Sequence, residues 1–169
     1  MVTLKTDRLL LRPVMAEDVD AFVAIHEDPE VLRWIGGHPT SGRTGAWRML
    51  AMISGHWNLR GYGPWAVVEK ATNEVIGRVG LWNPEGWPGI ELGWVVRQSR
   101  WRHGFATEAA SAALRWAWDH VETDHIISMI RADNLRSIRV AEKLGERREL
   151  SSIEDGVEVL TYGIYRNGG

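Results

Sequence analysis

Apolar and polar positions divide the chain into short segments of two periods. Residues Thr6 to Arg12 read as a first strand ended by Pro13, and Ala16-Glu17-Asp18 opens a helix whose apolar positions Val19, Phe22, Val23 and His26 recur at helical spacing. That helix stops before Pro29. A second helix is expected from roughly Thr44 to Leu59, with Trp47, Leu50, Ala51, Ser54 and Trp57 on one side; Ile35-Gly36-Gly37-His38-Pro39 before it reads as a loop. From Trp65 the period shortens to two. Trp65 to Glu69, a polar turn Lys70 to Glu74, and Val75 to Trp82 predict an antiparallel hairpin. After the turn-rich stretch Asn83 to Gly89 comes an apolar strand Ile90 to Val96, then a loop Arg97 to His103 and an Ala-rich helix from about Phe105 to Val121. His125 to Arg131 reads as a strand, Asn134 to Leu144 as a helix closed by Gly145, and Glu154-Asp155-Gly156 as the turn of a last hairpin. The sum is a mixed α/β domain of order β-α-α-β-β-β-α-β-α-β-β, expected to be one domain over residues 1–169.

Composition narrows the chemistry. The 169 residues are 44% hydrophobic and 25% charged, with 20 basic against 22 acidic side chains, an ordinary globular balance of net charge −2. A chain of this length buries roughly two thirds of its unfolded surface and needs no disulfide or structural metal. With no cysteine, thiol nucleophiles, Cys-based zinc and iron–sulfur sites are excluded, and a cytoplasmic location is expected. The apolar run Leu9-Leu10-Leu11 is too short for a signal-peptide core or a membrane span, and a net charge of −2 argues against broad nucleic-acid binding. Ten of the fifteen aromatic residues are Trp and only three are Tyr, so roles that need a phenol have few candidates.

The informative unit is strand, basic loop, helix. Arg97, Arg100, Arg102 and His103 precede Gly104 with no acid between them, and a helix opens at once with the small residues Ala106, Thr107, Ala109 and Ala110. A helix N-terminus offers unpaired N–H groups and a positive dipole end, glycine allows close backbone approach, and Arg adds charge. The combination suits a phosphate; an ordinary strand-loop-helix junction with surface Arg is the competing reading. Neither G-x-G-x-x-G nor G-x-x-x-x-G-K-[ST] occurs, so dinucleotide-fold and P-loop readings have no motif.

WRHGFATEA, followed after one strand by NLRSIRVAEKLG, resembles the acetyl-CoA-binding core of the GNAT N-acetyltransferases, close to the ribosomal-protein N-terminal acetyltransferase type. TDRLLLRP, DPEVLRWIG, VIGRVGLW and IELGWVV fall in the order that family uses, so the resemblance spans nearly the whole chain. It implies a mixed, mostly antiparallel twisted sheet flanked by helices, acetyl-CoA as cosubstrate, no metal, and transfer of acetyl to an amine. The family's pyrophosphate motif begins with Gln or Arg; here that position is Trp101, whereas Gly104 and Ala106 match. By the resemblance, backbone groups near Trp94, Val95 and Val96 bind the pantetheine arm and the carbonyl. Arg97 and the run Arg102, His103, Gly104, Phe105, Ala106 and Thr107 serve the pyrophosphate, and Asn134 the pantetheine.

Acyl transfer needs a neutral amine, a polarised thioester carbonyl and a route for the thiolate. Alternation puts Glu91, Gly93 and Val95 opposite Ile90, Leu92 and Trp94, and an acid within an apolar strand is partly desolvated, which raises its pKa toward that of a base. Glu91 is therefore either the general base or a cross-strand partner of an Arg such as Arg78, with a water chain as substitute base. Many family members protonate the thiolate from a Tyr, but Asn134 to Gly145 contains none; Ser137 stands in the matching region. Both Asn134 and Ser137 also fit as helix-start residues.

The acceptor is expected along Asp28 to Thr44 and Asn83 to Gly89, where Trp34, Trp82 and Trp87 suggest a wide, partly apolar groove. A protein N-terminus fits that groove better than a polyamine, for which Asp28 and Glu30 are a modest carboxylate pair; an antibiotic-like small amine stays open. So does a non-catalytic acyl-CoA-binding module, as do monomer and homodimer. NLRSIRVAEKLG also fits the start of a DNA-binding helix-turn-helix, but hairpin residues rather than a recognition helix follow it.

Overall fold

The computed structural model describes residues 2–35 and 42–166. Eight strands, β1 (Leu4–Lys5), β2 (Leu9–Arg12), β3 (Pro64–Glu69), β4 (Glu74–Trp82), β5 (Glu91–Val96), β6 (His125–Arg131), β7 (Arg147–Glu154) and β8 (Val157–Tyr165), form one sheet in the order β1-β2-β3-β4-β5-β6-β8-β7. All neighbours are antiparallel except β5 and β6. Among the described residues five α-helices accompany it: α1 (Val19–His26), α2 (Pro29–Leu32), α3 (Gly42–Arg60), α4 (Phe105–His120) and α5 (Leu135–Leu144).

The expected first strand, Thr6 to Arg12, is shortened to Leu9–Arg12, with the two-residue β1 before it, because the chain turns at Thr6: its N–H and Oγ1 and the backbone of Arg8 bond to Leu9 and Glu108 instead of a ladder. Pro29 ends α1 as expected, but it also starts α2, occupying the first helical position behind Asp28, whose side chain accepts from the Glu30 N–H. In α3 the expected inward face is corrected. Ala46, Leu50, Ile53 and Trp57 are buried, whereas Trp47 is 59% exposed and Ala51 also faces outward. Residues 46, 50, 53 and 57 follow the four-three-four spacing of one helical stripe, and their packing, not indole size, selects the face. The expected loop Ile35-Gly36-Gly37-His38-Pro39 lies, apart from Ile35, outside the described residues.

The core lies where α4 packs over β2, β4 and β5 and where Trp57, Trp65 and Trp116 meet edge-to-face, with ring centroids 4.9 and 5.1 Å apart for the Trp57–Trp65 and Trp65–Trp116 pairs. Trp57 Nε1 donates to Pro64 O and Trp65 Nε1 to Val2 O, whereas Trp116 Nε1 is buried with no partner among the described residues. Among the described residues no helix is long and apolar enough to cross a membrane.

Candidate active site

The site begins where the sheet fails to close. β5 pairs with β4 along its whole length, from Gly77↔Val96 to Trp82↔Glu91, yet with parallel β6 it shares a single register pair, Glu91↔Ile127, sealed by Ile127 N–H donating to Ile90 O at 2.9 Å. Beyond that point a side chain replaces the ladder, since Ser128 Oγ lies 2.8 Å from Leu92 O. The β6-facing edge of Gly93 to Val96 is thereby left open, and a cleft of about 960 Å³ runs from it to the start of α4. An acyl-pantetheine arm needs such an edge of free N–H and C=O groups, so the geometry fits the cosubstrate that the sequence implied.

At the far end Arg102 and Gly104 both take left-handed backbone conformations, φ 65° and 80°, and turn the loop onto the N-terminus of α4. Gly104 suits this without strain; Arg102 carries a strain characteristic of functional loops. Arg8 braces the turn from β2's approach: it pairs with Glu108 at 2.6 Å, donates to His103 O at 2.9 Å and lies over the Phe105 ring. Arg97 and Arg100 are engaged elsewhere, with Glu74 at 3.2 Å and Glu69 at 2.9 Å. Arg97 and His103 are not brought to the cleft wall, unlike Arg102, Gly104, Phe105, Ala106 and Thr107. The guanidinium missing at Trp101 comes from another element: Arg136 of α5 sits 4.0 Å from the Trp101 ring centroid and 5.5 Å from that of Trp34. Gly104→Val should weaken CoA binding at least tenfold while Arg97→Ala changes it less than threefold, as read by calorimetric titration, because only the first obstructs the backbone.

Glu91 stands at the cleft's other end, half-buried. Burial pushes its carboxyl up, against the opposing pull of the Trp87 indole N–H at 2.8 Å, the charge of Arg78 and the Met129 backbone N–H. The cross-strand alternative is not what the register places there. Trp82, not Arg78, lies opposite Glu91; Arg78 pairs with Val95, and among the described residues no Glu91–Arg78 contact within 4 Å occurs.

Asn134 caps α5, its Oδ1 accepting from the Ser137 N–H at 3.2 Å, and still lines the cleft. Ser137 Oγ receives the Trp94 indole N–H at 3.3 Å, which leaves the hydroxyl proton free to point into the cleft. Trp34, Trp82 and Trp87 all line the cleft: Trp82 stacks on His56 at 4.5 Å, Trp87 holds Glu91, and Trp34 belongs to the Arg136 stack on the cosubstrate side.

Three residues at the cleft or just behind it escape the sequence, Arg136, Ser128 and Glu146, and Arg78 enters it only as a partner for Glu91. Glu146 is 3% exposed, with Oε1 3.1 Å from Ser128 Oγ and Oε2 buried without a partner among the described residues. The single Ser128 hydroxyl proton faces two acceptors, Leu92 O at 2.8 Å and Glu146 Oε1 at 3.1 Å. Burial pushes Glu146 up to about 7 against the Ser128 hydrogen bond, with the charges of Glu91 and Glu149 adding to the rise. Two acids thus share the β5–β6 junction, both raised by burial: Glu91 against the Trp87 donor and the charge of Arg78, Glu146 against the Ser128 hydroxyl alone.

The GNAT acetyltransferase domain family matches residues 8–147. The chain is 31% identical over 150 residues to the uncharacterized protein YkkB of Bacillus subtilis, covering 84% of this chain and 83% of that protein. It is 26% identical over 166 residues to the uncharacterized N-acetyltransferase YoaA of the same organism, covering 98% and 89%. Among solved structures, an acetyltransferase from Agrobacterium tumefaciens superposes with a TM-score of 0.86 at 28% identity over 98% of this chain and 95% of that one. RimL, a ribosomal L7/L12 alpha-N-protein acetyltransferase in complex with coenzyme A, superposes with a TM-score of 0.84 over 97% and 98% at 15% identity, a likeness of fold. An open β5 edge leading to a glycine-started helix, in a chain that this family matches over most of its length, makes the protein a member of the GNAT family of acetyl-CoA-dependent N-acetyltransferases.

Proposed function

We propose that the protein acetylates a primary amine at a protein N-terminus by direct attack, both substrates being bound together. The observation that carries this reading is the position of Glu91, where the open edge of β5 meets a broad face walled by Trp82 and Trp87. When bound, acetyl-CoA supplies an activated acyl group and a thiolate leaving group. The N–H groups from Gly104 to Thr107, with Arg102 and Arg136, hold the diphosphate end. The free backbone edge of Gly93 to Val96 orients the pantetheine arm and the carbonyl, with Asn134 beside it. Glu91, desolvated yet held by Trp87, accepts the proton of the incoming ammonium. Ser137 donates to the departing sulfur.

A polyamine is disfavoured because the acceptor face carries the cation Arg78, and Asp28 and Glu30 do not line the cleft. The testing experiment is turnover with a panel of N-terminal peptides, aminoglycoside-like amines and polyamines. Acetylation of peptide α-amines with the highest kcat/KM supports the reading; a small-molecule preference or CoA binding without turnover overturns it. Within it, Ser137→Ala should slow the chemical step about tenfold with CoA affinity kept, measured by single-turnover kinetics, the worth of one hydrogen bond to a charged group. An unchanged step would reduce Ser137 to a helix-start residue.

A further inference from the structure

The floor of the acceptor face carries a cation with no carboxylate in direct contact, the charge of Glu91 reaching it only from four residues along the strand pair. Register sets Arg78, Gly80 and Trp82 of β4 beside Val95, Gly93 and Glu91 of β5 on one side of the sheet. Arg78 Nε donates to His26 Nε2 at 3.2 Å, and His26 Nδ1 in turn faces Phe22 O at 2.9 Å, so His26 accepts from Arg78 as a neutral imidazole. Burial and the Arg78 charge hold His26 down to about 4, consistent with that tautomer. A neutral ring fixes the guanidinium without neutralising it. Among the described residues no carboxylate lies within 4 Å of Arg78, and residues 36–41 contain no acid. The remaining N–H groups of Arg78 have no partner among the described residues and reach the open space of the cleft.

A desolvated cation held by a neutral group is costly unless something negative completes it. β4 and the β5–β6 opening lie on opposite edges of β5, so the free edge that receives the pantetheine is not the edge that Arg78 flanks. Between the Glu91 and Arg78 levels the floor is glycine: Gly80 faces Gly93, and a Cβ on Gly93 would have only Glu91 Oε1 near it, at 3.9 Å. Four strand residues separate the levels of Trp82 and Arg78, roughly 13 Å of strand, which suits an extended acceptor better than a compact one.

We propose that Arg78 is the acceptor-specificity residue, and that the substrate is an amine bearing a carboxylate, an acidic side chain close behind a peptide N-terminus, which Arg78 binds while the amine faces Glu91. This rests on the N-terminal acetylation reading above. Arg78's planar fork suits bidentate recognition of a carboxylate.

The test compares C-terminally amidated peptides of sequence Ala-Asp-Ala-Ala and Ala-Asn-Ala-Ala, together with the α-amides of aspartate and asparagine, on wild type, Arg78→Gln and Arg78→Lys. Two readouts are used: kcat/KM for acetylation, and calorimetric affinity for the CoA-loaded enzyme, which needs no turnover. The expected result is a preference of at least tenfold for the Asp peptide in both readouts, carried by KM, lost in Arg78→Gln and partly kept in Arg78→Lys. Equal affinity for the two peptides and for the two amino-acid amides overturns the proposal. So does a fall in Arg78→Gln that is the same for both peptides and lies in kcat, since Arg78 would then act only through the charge of Glu91. Preference for the aspartate amide over the asparagine amide with neither peptide acetylated keeps the carboxylate role of Arg78 and overturns the N-terminal reading instead.

Discussion

Replacing Glu91 by Gln should lower the acetyl-transfer rate by about 10² or more at neutral pH while leaving CoA affinity within about twofold. The carboxyl lies at the acceptor end of the cleft, away from the Gly104 turn, so its loss removes a proton acceptor and not a cosubstrate contact. A peptide amine has a pKa of about 8, so the fraction already neutral grows with pH and the deficit of Glu91→Gln should shrink above that value. The wild-type kcat/KM should fall on the acid side below a midpoint higher than that of an ordinary glutamate, because burial raises Glu91. A deficit of constant size from pH 6 to 10 would assign Glu91 to positioning, with a water taking the proton.

Glu146→Gln should stabilise the protein relative to wild type, by an amount that grows with pH. Folded Glu146 holds its proton up to about 7, whereas the unfolded chain releases it near 4.5. Between those values the folded state binds more protons, so wild-type stability falls as pH rises through the window and the penalty is constant above it. A shift of that size corresponds to about 3 kcal/mol, all of it removed by an amide that keeps a donor for Ser128. His26, held down to about 4, works in the opposite direction over an overlapping range, so the quantity to read is the variant-minus-parent difference in urea denaturation at pH 4.5 and 8. A difference that does not change with pH would mean that Glu146 is ionised in the fold.

The sequence carried the elements whose signals are local. The β3–β4 and β7–β8 hairpins, the Gly145 cap of α5 and the Gly104 start of α4 are written in turn chemistry and glycine placement, and all appear. The buried face of α3 was not legible because Trp47 and Ala51 share helical spacing with Leu50 and Trp57 as well as Ala46 and Ile53 do, and only the surrounding surfaces choose between the two stripes. In the site, Glu91 and Gly104 were legible because an acid in an apolar strand and a glycine after arginines are anomalies on their own. Arg136 and Glu146 were not: each looks like an ordinary helix or loop charge until α5 lays one on Trp101 and the chain after Gly145 buries the other behind β6. Arg78 was considered only as a partner for Glu91, since the four-residue offset between them appears only with the β4–β5 register.

The most direct test of the central claim is a crystal structure of the protein with CoA and an N-terminal peptide. The account predicts the diphosphate on the N–H groups from Gly104 to Thr107, the pantetheine along the free edge of Gly93 to Val96, the sulfur within hydrogen-bond reach of Ser137, and the peptide amine on the Glu91 side. A thiol placed away from the β5–β6 opening, or an amine beyond reach of both Glu91 and a water bound to it, would contradict the account.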